Sequence, residues 1–438
     1  MGVRSCRHHT LSHILLFLLF GALASLSIGA CHSKYPLPPL EQDVYVWQRK
    51  WTPEVTHAVE RASHAFRRLY VYAGDLIVDG DSVVFDAIDV DWRALAASSC
   101  VIVPVFRANR QLAHVLDRGD ASGALTACLG AYDGFRSRAH GNGVSVGTLQ
   151  IDFDCPSEFL SAYKQWLDVL RTALPETTLS MTALPSWLAS RDFAPLVQCV
   201  DFYVLQVHGL ERPASIKDDV VLCDTGKVMK YVEQAASFSR PFYVALPTYA
   251  YQAFYTSEGE FAGLVAEGDS VTPKPGAQTR NLSANPKELA PLVVAWKAHR
   301  PRNMRGIFWF RLPVEGDERN WPWHVLQAVM AGEQPTTGFR VEVRTVRQDL
   351  RELWVQSTGA YRPACNLRVE THWTNARIRA YDSVSGFRAE SDARGASMVL
   401  SGPAPQGEQP VLAAWWVAEP EESLQPMSFA AGNVELVK

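Results

Sequence analysis

The sequence lacks most of the short motifs by which catalytic and nucleotide-binding sites are recognised. It contains neither an HExxH zinc-protease helix nor a phosphate-binding loop. One G-x-S-x-G match, at residues 143–147, precedes a predicted strand, whereas a nucleophile elbow must follow one, so we interpret it as a chance match. Peptidases, esterases and nucleotide-dependent enzymes are therefore disfavoured, and we expect no metal and no cofactor.

The sequence also has little excess charge of either sign and no closely spaced cysteine pair. The formal net charge is −4 over 438 residues, which gives no basic surface for a nucleic-acid partner. The eight cysteines include no CxxC pair, which argues against zinc and redox sites. An exported protein can oxidise its cysteines, and Cys199 with Cys223 is the pair to test first for a disulfide.

The N-terminal segment has the pattern of an export signal. Arg4 and Arg7 precede the apolar stretch Ile14–Leu26, which is too short for a comfortable membrane span. Residues 28–31, with the sequence IGAC, resemble a bacterial lipobox. The resemblance implies a signal peptide over residues 1–30 and lipidation of the Cys31 thiol.

The position of Cys31 gives the expected location of the protein. Residues 31–40 would form a lipidated cysteine and a short Pro-rich tether. His32 follows, not the aspartate linked to inner-membrane retention, so the outer membrane is favoured over the inner membrane. We therefore expect a protein of the bacterial cell envelope that contacts the membrane through its lipid anchor. Ordinary secretion with cleavage nearby is the alternative.

Strand-like and helix-like segments alternate between residues 41 and 332. Eight segments are near-continuous apolar runs, as in strands of a parallel sheet that are covered on both faces. They are Asp43–Gln48, Arg68–Ala73, Cys100–Phe106, Thr148–Asp154, Thr178–Leu184, Asp201–Val207, Pro241–Leu246 and Arg305–Phe310. Eight such units predict an α/β fold, a (β/α)8 TIM-type barrel. An open doubly wound sheet is the alternative, but its usual glycine-rich first turn is absent at Gln48–Trp51.

The remaining segments predict additions to this barrel. Asp79–Asp91 is irregular and could hold a short extra hairpin, and Phe254–Asn285 predicts either a lid over the mouth or a disordered excursion. After the barrel, about seven short alternating segments predict a small all-β sandwich over residues 338–438. In that domain, Trp415 and Trp416 could be core residues or a glycan platform, and core is favoured.

The fourth predicted strand carries the most informative residues for function. Gln150, Asp152 and Asp154 alternate with apolar residues, so the three polar side chains share one face. Two carboxylates on such a strand cost free energy unless they have a partner or a purpose. Barrel enzymes keep their chemistry where strands end, so we expect Asp154 near the mouth and Asp152 deeper. Repulsion between the two carboxylates would raise the pKa of one of them. We expect Asp154 to be the general acid and Asp152 to adjust its pKa and to orient it.

Amides and aromatic rings dominate the other predicted strand ends. Rings stack on pyranose faces and amides bind hydroxyls, so a polysaccharide or other glycan is the expected partner. The predicted substrate-binding residues are Trp47, Gln48, Gln150, Gln206, His208, Tyr249, Trp309 and Arg311. Glu315, after the eighth strand, is a candidate catalytic nucleophile. Alternatively, Asp152 and Asp154 form a structural network with Arg107 or Arg311, and His208 is a structural histidine.

These strand ends resemble the chitinase-like glycoside hydrolases of family eighteen. Ile151–Asp154 is similar to part of the family's DxxDxDxE motif, Met181–Pro185 to its fifth strand, and Trp309 to its eighth-strand tryptophan. The resemblance implies glycan hydrolysis, with an N-acetyl group of the substrate as an alternative nucleophile. Leu149 replaces the first aspartate of the motif, and Pro156 replaces its acid glutamate.

The chain also resembles a family of bacterial lipoproteins, domain of unknown function 3142. Tyr45–Gln48 and Gln150–Asp154 carry this resemblance, which spans most of residues 41–330 and implies no established activity. Together these patterns predict an envelope lipoprotein whose glycoside-hydrolase-like barrel acts on a polysaccharide by acid/base hydrolysis. The alternative is a catalytically inactive lipoprotein that binds glycan or acts as an envelope scaffold.

Overall fold

The computed structural model describes residues 38–80, 82–209, 213–218, 220–266, 275–362, 366–391, 397–405, 409–420 and 427–437. The predicted signal peptide and Cys31 therefore lie outside the described residues. Leu40–Lys438 forms one compact unit. Within the described ranges, no helix combines the length and the apolar character needed to cross a membrane.

The predicted barrel is confirmed. Its region contains β1 (Glu41–Val46), β2 (Arg68–Asp79), β3 (Ser82–Ala87), β4 (Val101–Ala108), β5 (Thr148–Phe153), β6 (Thr178–Ala183), β7 (Phe202–Gln206), β8 (Phe242–Pro247), β9 (Ala250–Tyr255), β10 (Phe261–Val265), β11 (Gln278–Ser283) and β12 (Met304–Phe310). Eight parallel strands pair in the order β1-β12-β8-β7-β6-β5-β4-β2. Because β2 also pairs with β1, the sheet closes and the open-sheet alternative is excluded.

Helices connect these strands and cover the outside of the barrel. In the described residues they are α1 (Pro53–Ala62), α2 (Trp92–Ala97), α3 (Gln111–Asp117), α4 (Ala121–Gly141), α5 (Leu160–Ala173), α6 (Phe193–Leu196), α7 (Thr225–Ala235), α8 (Pro286–Ala298) and α9 (Trp323–Ala331). Local sequence sets their ends. Pro53 opens α1, Asp224 caps α7 through its carboxylate, and Gly332, at φ 91°, closes α9.

Strand alternation gives the barrel two different surfaces. In β5, Leu149, Ile151 and Phe153 join the hydrophobic layer under the helices, while Gln150 and Asp152 face the interior. The interior is filled largely by aromatic and β-branched side chains. They include Tyr45, Trp47, Tyr70, Tyr72, Val103, Val105, Phe202, Val204, Tyr243 and Phe308. The barrel is therefore packed, and a ligand can enter only at its mouth.

Buried charges close the end of the barrel opposite the mouth. Asp43 is 1% exposed and accepts a hydrogen bond from Arg68 Nε at 2.8 Å. Arg68 also pairs with Glu41 and donates to the Tyr243 hydroxyl at 3.0 Å. Burial raises the pKa of Asp43 to about 6 even though Arg68 lowers it. This network ties β1, β2 and β8 together beneath the aromatic interior.

Two antiparallel additions flank the mouth. The extra hairpin is confirmed as β3, which pairs with the end of β2. The segment after β8 contains the sheet β10-β9-β11, so the disordered alternative for Phe254–Asn285 is wrong over its described part, and the lid stays a prediction. Tyr255, Ala253 and Leu282 give this small sheet its own apolar cluster. This small sheet forms a wall of the mouth next to the ends of β8 and β12.

The predicted sandwich is also confirmed. Its strands are β13 (Phe339–Thr345), β14 (Leu350–Ser357), β15 (Asn366–Thr374), β16 (Ala376–Ser383), β17 (Arg388–Ser391), β18 (Ser397–Pro403), β19 (Val411–Pro420) and β20 (Ser428–Val437). They form sheets β13-β14-β19-β16 and β17-β18-β15-β20. The sequence missed β20. Trp416 packs against Trp373 in the core, with ring centroids 6.5 Å apart.

We expect Arg68→Gln to lower the free energy of unfolding by about 3 kcal/mol, because it leaves the Asp43 carboxylate buried without its cation. Urea denaturation above neutral pH measures the change. Arg347 pairs with Asp349 at 3.5 Å on the surface, so Arg347→Gln is the matched control and should cost less than about 1 kcal/mol. Equal losses for the two variants would contradict a structural role for the buried network.

Candidate active site

Asp152 is buried at the inner end of the candidate site and accepts hydrogen bonds from side chains of β6 and β7. Its side chain is 8% exposed. Oδ1 accepts hydrogen bonds from Thr182 Oγ1 of β6 at 2.8 Å and from Gln206 Nε2 of β7 at 2.9 Å. Burial, and then the charge of Asp154, raise the pKa of Asp152 to about 7. A group with this pKa exchanges its proton near neutral pH.

Asp154 follows the end of β5 and is exposed at the mouth. Its carboxyl makes no hydrogen bond or ion pair with the residues that the structure describes. Nearby protein atoms remove part of its hydration, and this raises its pKa more than Arg110 and Arg107 lower it. The adjoining backbone is fixed, because Trp187 Nε1 donates to the Cys155 carbonyl at 2.9 Å. The structure thus presents an accessible acid beside a buried one.

Gln150 lies below the acid pair and not at the mouth. It is 0% exposed, accepts a hydrogen bond from the Tyr45 hydroxyl at 2.7 Å, and donates to Ser180 Oγ at 3.3 Å. These contacts leave no surface for a glycan, so its predicted substrate-binding role is corrected to a supporting one. Gln206 is half-buried and holds Asp152 directly.

The arginine network at the mouth does not pair with the acid pair. Arg107 binds Asp75 through Nε at 2.7 Å and Nη2 at 3.1 Å. Asp75 also accepts hydrogen bonds from the Tyr72 hydroxyl at 2.6 Å and from Arg49 at 3.3 Å. A bulge between Tyr72 and Gly74 lets both Tyr72 and Asp75 face inwards. The expected alternative, a structural network with Arg107, is therefore not formed in the described structure.

Arg311 is likewise bound elsewhere. Its Nη2 pairs with Asp317 Oδ2 at 2.7 Å, and the side chain is 7% exposed. In the described chain it therefore does not clamp Asp152 or Asp154. Asp317 belongs to the loop that follows β12, so this pair stabilises the wall of the mouth.

Aromatic rings line the mouth next to the acid pair. The His208 imidazole stacks on Phe310, with centroids 5.4 Å apart and planes 24° apart. Its Nδ1 lies 3.4 Å from the Tyr249 hydroxyl, while Nε2 is buried and has no hydrogen-bond partner among the described residues. Burial lowers the pKa of His208 to about 4, so the ring is neutral at physiological pH. Trp47 continues the wall, 5.2 Å from Phe310.

The predicted role of Trp309 is wrong, because its side chain is on the other face of β12. Trp309 is 0% exposed in the hydrophobic layer outside the barrel, where its Nε1 donates to Gln42 at 3.0 Å. Phe308 and Phe310 are the residues of this strand that face inwards. Phe310, which the sequence analysis missed, occupies the mouth position, and its peptide bond to Arg311 is cis.

Gln48 and Glu315 lie on the β1–β12 side of the mouth. Both line a groove of about 620 Å³, and Glu315 also lines a second groove of about 640 Å³. Glu315 is exposed in the loop after β12. In the ring of strands, β5 is four positions away from β12, so Glu315 starts from roughly the opposite side of the mouth to Asp154. Its role as a nucleophile stays a prediction.

The expected disulfide is absent. Cys199 and Cys223 are both free thiols. Cys199 Sγ lies 3.0 Å from Asp168 Oδ1, and Cys223 Sγ lies 3.9 Å from the Val207 carbonyl. Both side chains are buried, and burial raises the pKa of each thiol to about 12, so neither is a reactive thiolate.

Comparison with known sequences places this site within a described family region. Residues 100–315 match the family described as Domain of unknown function (DUF3142). This match confirms the resemblance to that family over residues 100–315, which include Gln150–Asp154 but not Tyr45–Gln48. It covers the acid pair, Arg107, Phe310 and Glu315, but not Arg49, Tyr72 or Asp75. None of the curated proteins matches the sequence.

Solved structures that are similar to the barrel include glycan-degrading enzymes. The spore cortex-lytic enzyme SleL of Bacillus cereus aligns with 67% of this chain and 74% of its own, at 14% identity and a TM-score of 0.48. A chitinase from Chromobacterium violaceum aligns with 67% of this chain and 98% of its own, at 13% identity and a TM-score of 0.48. These values are too low to transfer an activity.

We expect the stability that Asp152 confers to depend on pH. The folded state keeps the Asp152 proton up to about pH 7, whereas the unfolded chain releases it near pH 3.8. Between these values the folded state binds more protons, so this contribution is complete at low pH and is lost as pH rises to about 7. Wild type should therefore lose stability relative to Asp152→Asn, by at most about 1.4 kcal/mol per pH unit.

Urea denaturation of both proteins at several pH values across this window measures the effect. The Asn oxygen can still accept the hydrogen bonds of Thr182 and Gln206, so the variant should fold. Glu158→Gln, which removes an exposed carboxyl nearby, is the control and should follow the wild-type curve. Parallel curves for wild type and Asp152→Asn would show that Asp152 is ionised throughout.

Proposed function

We propose that this protein is a glycoside hydrolase that cleaves a polysaccharide with Asp154 as its general acid. One observation carries the proposal: an exposed carboxyl with a raised pKa stands at the end of a barrel strand, directly above a buried carboxyl. Because the two acids are two residues apart on the inward face, they titrate as a coupled pair and can share one proton. That arrangement suits acid/base catalysis near neutral pH.

The chemistry divides between the two acids. Asp154 donates its proton to the glycosidic oxygen as the bond from that oxygen to the anomeric carbon breaks, and the leaving sugar departs as an alcohol. Asp152, held by Thr182 and Gln206, shares one proton with Asp154, because a carboxylate on either acid favours the protonated form of the other. In this first step a nucleophile bonds to the anomeric carbon. Water then attacks that carbon as its bond to the nucleophile breaks, and the ionised Asp154 takes a proton from the water, which restores the starting state.

Two groups are candidates for the nucleophile of the first step, the Glu315 carboxylate and an N-acetyl group of the substrate. Glu315 requires the loop after β12 to reach across the mouth, since it starts on the far side of the ring from β5. An N-acetyl group on the substrate requires no second carboxylate. The structure therefore favours assistance from the substrate, with the aromatic wall of Phe310 and Trp47 holding the sugar ring.

One observation favours glycan binding without hydrolysis as the second candidate. Pro156 occupies the position of the family's acid glutamate and begins the turn at Ser157–Phe159. No carboxylate can be supplied from that position. Under this second proposal, the mouth and its aromatic wall hold a glycan, and Asp154 contributes hydrogen bonds only.

Asp154→Asn decides between the two candidates. We expect it to reduce turnover by about 10²–10⁴-fold, because it removes the proton donor. Since the carboxyl has no hydrogen-bond partner in the described structure, the thermal midpoint should stay nearly unchanged. Reducing-end release from chitin oligomers, peptidoglycan and polygalacturonate measures turnover, with Glu158→Gln as the matched control. Retained turnover in Asp154→Asn rules out Asp154, and turnover lost only in Glu158→Gln assigns the acid to Glu158.

We also propose that the protein acts in the bacterial envelope, anchored through lipid on Cys31, and that the outer membrane is its location. The lipobox-like sequence at residues 28–31 supports this proposal. In a bacterial host, Cys31→Ser should abolish incorporation of labelled palmitate and move the protein out of the membrane fraction. Cys6→Ser, within the predicted signal peptide, is the control and should change neither readout. Membrane retention of Cys31→Ser would contradict lipid anchoring.

A further inference from the structure

Three ionisable side chains form a row across neighbouring strands at the mouth. Arg107 of β4 pairs in register with Asp75 of β2 on one side and with Asp152 of β5 on the other. Neighbouring strands lie about 4.8 Å apart, and side chains that are paired in register share one face of the sheet. Arg107 is therefore a cation between two carboxyl groups, either of which its long side chain can reach.

Arg107 is bound to only one of these two carboxyl groups. Its Nε and Nη2 donate to Asp75 at 2.7 and 3.1 Å. Within the described residues it makes no ion pair with Asp152 or Asp154. The hydrogen bonds that Asp152 accepts from described residues all end on Oδ1, so Oδ2 is available to a guanidinium. The partner that Arg107 takes thus depends on Asp75.

Tyr72 and Arg49 hold Asp75 in place as the partner of Arg107. The Tyr72 hydroxyl donates to Asp75 at 2.6 Å, and Arg49 donates at 3.3 Å. The guanidinium carbons of Arg107 and Arg49 lie 5.7 and 5.0 Å from the centroid of the Tyr72 ring. The bulge between Tyr72 and Gly74 brings both the ring and the Asp75 carboxylate to the inward face. The local structure of β2 therefore builds a binding place for one guanidinium.

A guanidinium beside a carboxyl group favours the ionised form, and an ionised acid pair has no proton to donate. We propose that Asp75 is a positioning residue of the active site, which competes with Asp152 for Arg107 and so keeps the shared proton on the acid pair. The catalytic part of this role rests on the proposed hydrolase. The position of Arg107 is independent of it and can be tested without turnover.

Other charged or titratable side chains on the surrounding elements fall into two groups. Tyr45 of β1, Tyr163 of α5 and His208 after β7 are neutral at physiological pH, because burial raises the pKa of the two tyrosines and lowers the pKa of the histidine to about 4. Arg110 after β4 and Glu158 after β5 are exposed, and water and salt screen their charges. The arginine of the row is thus the cation with the strongest hold on the buried acid.

Asp75→Asn tests the inference, because asparagine keeps the shape of the side chain and removes its charge. We expect Arg107 to turn to Asp152 and to lower the pKa of Asp152 by about one to three pH units. Urea denaturation with and without Asp152→Asn follows this pKa. In wild type the stability conferred by the Asp152 proton is lost as pH rises to about 7, and in Asp75→Asn that loss should end lower by the same one to three pH units.

Further variants separate the position of Arg107 from damage to the fold. Arg107→Gln removes the cation, so the loss should extend to higher pH than in wild type. In the double variant Asp75→Asn/Arg107→Gln no cation is released, so the loss should end at the wild-type pH or above it. Asp201→Asn is the matched control, because it removes a carboxylate that pairs with Arg171 at 2.6 Å at the opposite end of the barrel. It should leave the pH at which the loss ends unchanged.

Each outcome has a distinct meaning. A loss that ends at the wild-type pH in Asp75→Asn overturns the inference, as does a downward displacement that persists in the double variant. A displacement that the double variant reverses, in a protein that hydrolyses nothing, supports the inference and defeats the proposed hydrolase. Where turnover is found, the alkaline side of its pH profile should move to lower pH in Asp75→Asn. Turnover with the same pH profile in both proteins supports the hydrolase and overturns the inference.

Discussion

Closure of the sheet into a barrel determines the properties of the acid pair. In a closed barrel every inward residue faces either the packed interior or the mouth, and strand alternation assigns each acid to one of them. Asp152 lies at the last inward-facing position of β5, where Thr182 and Gln206 donate hydrogen bonds to its carboxyl. Asp154 lies two residues further along the chain and is exposed to solvent.

Asp75 acts indirectly on the raised pKa values of the two acids. Arg107 pairs with Asp152 in the strand register and lowers the pKa of both acids, and it would lower them further if its guanidinium turned towards them. Two hydrogen bonds to Asp75 hold it away. Tyr72 and Arg49 fix Asp75 in turn. The pKa values of the two acids stay raised beside Arg107 because this arginine already has an anionic partner.

Much of this architecture could be predicted from sequence, for physical reasons that also explain the failures. Buried parallel strands are continuous apolar runs, so all eight barrel strands were found. A polar residue marks which face of β5 is inward, but β12 is apolar throughout its second half, so nothing distinguishes the face of Trp309 from that of Phe310. The Arg107–Asp75 pair depends on a bulge, whose extra residue leaves no trace in the alternation. β20 contains small residues that break the alternating pattern.

The acid pair and the groove lined by Trp47 and Glu315 lie on different sides of the mouth, and ring contacts connect them. Trp47 lines the groove and packs against Phe310. Phe310 stacks on His208, which follows Gln206, the residue that holds Asp152. A glycan held at the mouth would therefore meet rings on the β1–β12 side and a carboxyl at the end of β5. Neutral His208 suits this arrangement, because a charged imidazole in the ring wall would lower the pKa of the two acids.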